Sequence, residues 1–96
     1  MSTESPNFLF TIVMDWNGGT YIGQVRAGTS RAAISRWAKE LDVREIPGFG
    51  ESSRQSLLED LGSDPPVLLE GRVNVWCATA LVRGKLALVN IVRTES

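Results

Sequence analysis

The sequence has 96 residues, of which 43% are hydrophobic and 22% are charged, and its formal net charge is −1. This length and composition predict one globular domain over residues 1–96, and they argue against two independent cores or a strongly basic nucleic-acid-binding protein. The sequence has no histidine, so it lacks the commonest general base, and catalysis is not expected. Its only cysteine is Cys77, which excludes an internal disulfide and a cysteine-rich metal site. Neither a metal nor another cofactor is therefore expected.

The two ends of the sequence are short and polar, and we expect residues 1–6 and 94–96 to be flexible. The apolar run over residues 8–14 has no basic segment before it and stops at Asp15. It therefore predicts neither a secretory signal nor a membrane span, and a cytoplasmic protein is the expected class.

Residues 8–16 alternate with a period of two, which is typical of a strand with one buried face. Asn17, Gly18 and Gly19 follow, and these residue types tolerate the positive φ angles of a tight reversal. Residues 20–27 are rich in strand-forming side chains. The sequence therefore predicts an N-terminal β-hairpin.

Two helices are predicted next. Over residues 30–41 apolar side chains, including Trp37, recur at helical spacing, and Thr29 or Ser30 offers an N-cap oxygen. A second helix is predicted over residues 53–61, where Ser52 and Gln55 have the spacing of a capping box. Glycine and proline residues separate and end these segments.

The last part of the sequence predicts a short strand near Val67 and two longer strands over residues 72–82 and 86–93. The longer two are apolar on both faces, so we expect them to lie centrally in the sheet, or under a strongly curved sheet, and not to be half-solvated. The predicted fold class is α+β, with a single mainly antiparallel sheet, two helices packed on one face and the order ββααββ. A homodimer is a further expectation, formed if residues 8–16 or 86–93 pair across an open edge.

Charge is unevenly distributed along the sequence. Eight of the eleven acidic residues lie between Glu40 and Glu70, a stretch with only two basic residues. Such a segment repels nucleic acid and favours a basic protein partner. The charge pattern and one aromatic residue give these candidate partner-binding residues: Asp42, Glu45, Phe49, Glu51, Glu59 and Asp60.

Phe49 lies between Gly48 and Gly50, next to Pro47, and it has two interpretations. An exposed ring could enter a pocket of the partner, because aromatic anchors dominate many interfaces. Alternatively, the ring could fill the core beneath the loop, which is the more frequent fate of a phenylalanine and the interpretation that we favour. The adjacent carboxylates Glu59 and Asp60 similarly fit a solvated helix face.

Four stretches resemble small bacterial immunity proteins, the ones encoded beside contact-dependent growth inhibition and related polymorphic toxins. These stretches are GTYIGQVRA at residues 19–27, AISRW at 33–37, VWC at 75–77 and GKLALVNIVRT at 84–94. The resemblance implies a non-enzymatic cytoplasmic inhibitor that binds a cognate toxin domain and blocks or distorts its active site. Many such toxins are nucleases with basic substrate clefts, which an acidic surface could occupy.

Two alternatives remain open. A hairpin followed by a helix that carries Trp37 also resembles the start of HicB-type antitoxin domains, which have a partial RNase-H-like sheet. Those proteins usually add a DNA-binding segment, whereas this sequence has no basic or helix-turn-helix tail. The other alternative is a small metabolite-binding domain, which predicts a cleft between helices and sheet lined by converging polar groups.

Overall fold

The computed structural model describes residues 7–63, 65–71 and 73–95, and it has an α+β fold. One antiparallel sheet of five strands carries two helices, which confirms the predicted class. The order is ββααβββ, because the short strand predicted near Val67 is present. The elements are β1 (Phe8–Trp16), β2 (Gly19–Ala27), α1 (Ser30–Glu40), α2 (Glu51–Ser63), β3 (Val67–Leu68), β4 (Val75–Val82) and β5 (Lys85–Glu95), with a 3-10 turn at Val43–Glu45 between the helices.

The strands lie in the order β2-β1-β5-β4-β3. In the N-terminal hairpin Trp16 pairs with Gly19, and the two-residue loop has φ angles of 49° at Asn17 and 84° at Gly18. The hairpin prediction is confirmed. Because β1 and β5 are both interior strands, the expected homodimer cannot form by pairing across either of them. The edges of the sheet are β2 and β3.

The core lies between the helices and the inner face of the sheet. Every second residue of β1 from Phe10 to Trp16 is buried, as the period of two predicts. Further large buried side chains are Ile34 and Trp37 of α1, Leu57 and Leu61 of α2, Val82, Val89 and Ile91 of the C-terminal strands, and Val25, Ile46 and Phe49. Both helices therefore pack on the same face of the sheet.

The outer face of the sheet is not covered by any element that the structure describes. The exposed fraction is 71% for Ile22, 59% for Leu81 and Leu86, and 37% for Leu88. The expectation that the C-terminal strands lie inside the sheet is confirmed, since β4 and β5 are both interior, but the expectation that they are not half-solvated is wrong. The physical reason is that both helices are used on the inner face, whereas the outer face keeps its apolar side chains in contact with solvent.

The ends of the elements show which capping predictions are correct. Thr29 is the N-cap of α1, and its hydroxyl accepts a hydrogen bond from Ala32 N at 3.1 Å. At the start of α2 the predicted capping box of Ser52 and Gln55 does not form. The bond seen there instead is from Gly50 N to the buried Ser53 hydroxyl, at 3.2 Å. The second helix therefore begins at Glu51, two residues before its predicted start.

The C-terminal strand is longer than the sequence predicts. Residues 94–96 are predicted to be flexible, but β5 continues to Glu95, and the Thr94 hydroxyl donates to the Leu9 carbonyl at 3.0 Å. Pairing with β1 fixes this end, because Leu9 lies opposite Glu95 in the register. Residues 1–6 and Ser96, for which flexibility is also predicted, lie outside the described residues.

Candidate partner-binding surfaces

A cavity of about 400 Å³ lies where the edge strand β2 meets the end of α1 and the Val43–Glu45 turn. It forms because α1 ends at Glu40 and Leu41 takes an extended conformation, with φ −60° and ψ 130°, which carries the chain away from the sheet. We call this space the edge cavity. Its lining residues are Thr20, Tyr21, Ile22, Gly23, Gln24, Val25, Trp37, Glu40, Leu41, Asp42, Glu45 and Ile46.

Trp37 and Gly23 shape the floor of the edge cavity. A Cβ atom added at Gly23 would lie 3.1 Å from Trp37 Cδ1, so the indole packs directly against the glycine backbone. The Trp37 side chain as a whole is only 4% exposed, and no bond from its Nε1–H to another described residue is present. Because no buried polar side-chain atom of the described residues lacks a partner, this N–H is one that solvent, or a molecule bound in the cavity, can reach.

The charged groups that line the edge cavity are all acidic: Glu40, Asp42 and Glu45. Two of them have local partners, because Arg36 Nε lies 3.0 Å from Glu40 and Arg44 Nε lies 3.1 Å from Asp42. Glu45 makes no direct ion pair with another described residue, although the charge of Arg44 acts on it from a longer distance. The structure therefore brings Asp42 and Glu45 together, adds Glu40 to them, and leaves Glu45 as the one of the three without a direct ion pair.

Asp42 has a lowered pKa because its carboxylate accepts hydrogen bonds from the Arg44 side chain and from the Arg44 backbone N–H. It also caps the 3-10 turn in this way. Hydrogen bonds to the charged form favour ionisation, so this side of the edge cavity keeps its negative charge at moderately acidic pH.

Glu51 lies outside the edge cavity and takes part in holding the helices together. Its carboxylate lies 2.9 Å from Arg54 Nε, and this contact lowers the pKa of Glu51. The same guanidinium donates to the Ala38 and Lys39 carbonyls, at 3.0 and 2.7 Å, and so joins α2 to the end of α1. The contacts of Glu51 are those of a structural residue.

Asp60 and Glu59 do not form one acidic surface. The Asp60 carboxylate accepts a hydrogen bond from Leu81 N at 2.8 Å. Beyond Cys77 the outer edge of β4 has no neighbouring strand in the described sheet, so Asp60 satisfies a backbone donor that would otherwise be open. Glu59 is exposed and accepts a hydrogen bond from Gln55 Nε2 at 3.2 Å.

Phe49 is a core residue, and its role as an exposed anchor is therefore wrong. The ring is 5% exposed and contacts Trp16 edge-to-face, with 5.3 Å between ring centroids. The loop folds back because Phe49 N donates to the Ile46 carbonyl at 3.0 Å, which directs the loop's apolar side chains inward. The favoured sequence interpretation, a ring that fills the core beneath the loop, is confirmed.

A second surface, the outer sheet face, is absent from the sequence-based candidates. It consists of the alternate residues of the strands that point away from the helices: Ile22, Val13, Leu81, Leu86, Leu88 and Val92 among the apolar ones. A signal for this surface is present in the sequence. Two strands that are apolar on both faces need two covering layers, and two short helices supply only one.

Comparisons with protein-family models, with curated proteins and with solved structures find no match to this sequence. Within the described part of the chain, no helix is long and apolar enough to cross a membrane. The same residues contain no group of three or more cysteine or acidic side chains placed to hold a metal ion. We base the functional proposals on the edge cavity and the outer sheet face.

Proposed function

We propose that this chain is a non-enzymatic immunity protein that binds a cognate toxin domain and neutralises it through the acidic edge cavity. The observation that carries the proposal is the set of carboxylates that line the cavity, Glu40, Asp42 and Glu45, of which Glu45 makes no direct ion pair. The sequence resemblance to polymorphic-toxin immunity proteins supplies the class of partner. A cytoplasmic location accords with this role.

A basic protein segment fits the edge cavity better than other ligands of positive charge. Glu45 makes no direct ion pair, and next to it the cavity presents the apolar side chains of Leu41 and Ile46. Lysine and arginine have apolar stems and cationic ends, so they match a wall on which both kinds of group are adjacent. Partner lysines or arginines would also be attracted at long range, which accelerates encounter.

Neutralisation follows if the bound toxin residues are the ones that hold its substrate. Many toxins of this class are nucleases, whose cleft binds phosphate groups through lysine and arginine. Carboxylates of the edge cavity would occupy those cations and prevent the nucleic acid from entering. We propose a nuclease domain as the partner on this ground.

The test is co-expression with the C-terminal domain of the protein encoded immediately upstream, scored by growth and by co-purification. Wild-type protein should restore growth and retain the domain. Glu45→Lys should weaken binding by about tenfold or more, because it places a like charge against the partner's cations. Glu59→Lys is the matched control, since it makes the same charge change on α2, outside the edge cavity, and should bind normally.

Two results would count against this function. If the wild-type chain neither retains the neighbouring domain nor restores growth, the immunity proposal fails. If Glu45→Lys and Glu59→Lys bind equally well, the chain can still be an inhibitor, but the edge cavity is not where it binds the toxin.

A small cationic metabolite is the competing occupant of the edge cavity. The volume of about 400 Å³ falls within the range of small-molecule sites, and the lining carboxylates are converging polar groups of the kind this alternative predicts. Thermal unfolding in the presence of a panel of small amines distinguishes the two ligands. A stabilisation that Glu45→Lys abolishes would favour the metabolite; no stabilisation by any amine favours the protein partner. A HicB-type antitoxin would instead require binding to an RNA-cleaving toxin and to DNA.

We also propose that a second copy of this chain covers the outer sheet face. The four long strands, β1, β2, β4 and β5, have eight to eleven residues each. A length of eight residues and a width of four strands give a flat area of roughly 26 by 19 Å, about 500 Å², without the added relief of the side chains. A stable interface buries about 800 Å² of accessible surface per partner, which exceeds this flat area, so the relief of the side chains has to supply the difference. On this face the exposed apolar side chains of Ile22, Leu81, Leu86 and Leu88 lie among polar ones such as Asp15 and Thr79, and exposed apolar clusters often mark an interaction site. The homodimer would thus form by face packing, not by edge pairing.

A further inference from the structure

The β2 edge of the sheet has backbone groups that no described element pairs. In a hairpin with a two-residue loop the flanking pair, here Trp16 and Gly19, is hydrogen-bonded, and bonded pairs alternate with non-bonded pairs along the strands. Thr20, Ile22 and Gln24 belong to non-bonded pairs, so their N–H and C=O groups point away from β1. Arg26 follows the same alternation, and its carbonyl accepts a hydrogen bond from Arg36 at 3.1 Å.

The two edges of the sheet are protected differently. At the edge next to β4, the short strand β3 pairs with Trp76 and Cys77, and the Asp60 carboxylate accepts a hydrogen bond from Leu81 N. At the β2 side, the backbone N–H and C=O groups of residues 20, 22 and 24 have no hydrogen-bond partner within the described ranges. Proteins usually block long open edges because they attract other strands, so an edge that no described element blocks, beside a cavity, has the geometry of a recognition strand.

The surroundings of this edge select the kind of strand that could add to it. Side chains on the helix side would enter the edge cavity and approach Glu45 and the Trp37 Nε1–H. Side chains on the other side would lie next to Ile22, which is 71% exposed. Because successive side chains of a strand point to opposite faces, the two requirements alternate along the added segment.

We propose that β2 binds an extended segment of its partner by strand addition, and that this segment alternates basic with apolar residues. The open groups at residues 20, 22 and 24 span about 13 Å, which corresponds to roughly five residues of an added strand. Basic side chains of the segment contact Glu45, and apolar ones extend the outer sheet face beside Ile22. The identity of the partner as a toxin domain rests on the proposed function; the mode of binding does not.

The experiment is selection from a random nine-residue peptide display library on the immobilised full chain, followed by titration of the selected peptides. Gln24→Pro removes one outward N–H at an edge position where proline is tolerated and leaves the β1 pairing intact. Gln24→Ala is the matched control, because it loses the same 2.9 Å side-chain bond to Thr11 but keeps the N–H. We expect the selected peptides to alternate basic and apolar residues. Gln24→Pro should bind them about tenfold more weakly than the wild type, and Gln24→Ala should bind them with wild-type affinity.

A second measurement covers the case in which Gln24→Pro does not fold. Amide hydrogen exchange of the wild-type chain should slow at Ile22 and Gln24 when a selected peptide is bound. The proposal is overturned if no peptide is selected, if the selected peptides show no alternation, or if the exchange of these amides is unchanged. Toxin neutralisation is scored separately by co-expression. If the chain neutralises its toxin but selects no such peptide, strand addition alone is refuted. If the chain selects such peptides but neutralises no toxin, the immunity function alone is refuted.

Discussion

Replacing Phe49 by alanine should destabilise the fold and should not act primarily on partner binding. The ring is 5% exposed and contacts Trp16 edge-to-face at 5.3 Å. Truncating a buried phenylalanine costs about 3–5 kcal/mol, and we expect the lower end, about 3 kcal/mol, because the loop with Gly48 and Gly50 can partly collapse into the space. For a domain of this size that loss corresponds to a fall of roughly 15 °C in the midpoint of thermal unfolding.

The assay is thermal and urea unfolding of the purified wild type, Phe49→Ala and Phe49→Leu, followed by circular dichroism. Phe49→Leu fills most of the space and should cost about 1 kcal/mol, which shows that volume and not the loop sequence is responsible. If Phe49→Ala changes the free energy of unfolding by less than about 0.5 kcal/mol, as an exposed residue would, the assignment of this ring to the core is refuted.

Three further predictions concern Arg54, the carboxylates Asp42 and Glu51, and the outer sheet face. Arg54→Ala should destabilise by about 1–3 kcal/mol in urea unfolding, because it leaves two carbonyls at the end of α1 without their charged donor, and Arg54→Lys should recover part of the loss. The pKa values of Asp42 and Glu51 are lowered in the folded state, so these carboxylates stabilise the fold above their unfolded pKa, and this stabilisation is lost as the pH falls through the folded pKa. The midpoint of thermal unfolding should therefore decline below about pH 4. The decline should be less steep in Asp42→Asn, which has no carboxylate at this position. Sedimentation velocity should show a dimer at high concentration that Leu86→Lys, on the outer sheet face, converts to monomer; a monomeric wild type contradicts the face-packed homodimer.

Much of the fold could be predicted from local patterns. The hairpin follows from the period of two in residues 8–16 and from two loop residues that accept positive φ angles. The first helix follows from its apolar spacing and from Thr29, which supplies the N-cap as expected. Such signals depend on residues a few positions apart, so they can be read without knowing the rest of the chain.

The candidate site could be predicted only in part. Asp42 and Glu45 lie on the edge cavity, but Glu51 and Asp60 have structural partners. The partner of Asp60 is a backbone N–H twenty-one positions away, and its need for an acceptor arises only because β3 is too short to cover the edge of β4. Charge counting along the sequence cannot detect such a partner.

By itself the sequence determined the type and approximate position of each element, the absence of histidine chemistry and the acidic character of the middle segment. The tertiary structure decided which strands became edges, which carboxylates made no direct ion pair and which apolar face stayed in solvent. The physical reason is that an element's own periodicity sets its apolar side, whereas hydrogen-bond partners, neighbouring charges and covering layers come from residues distant in the chain.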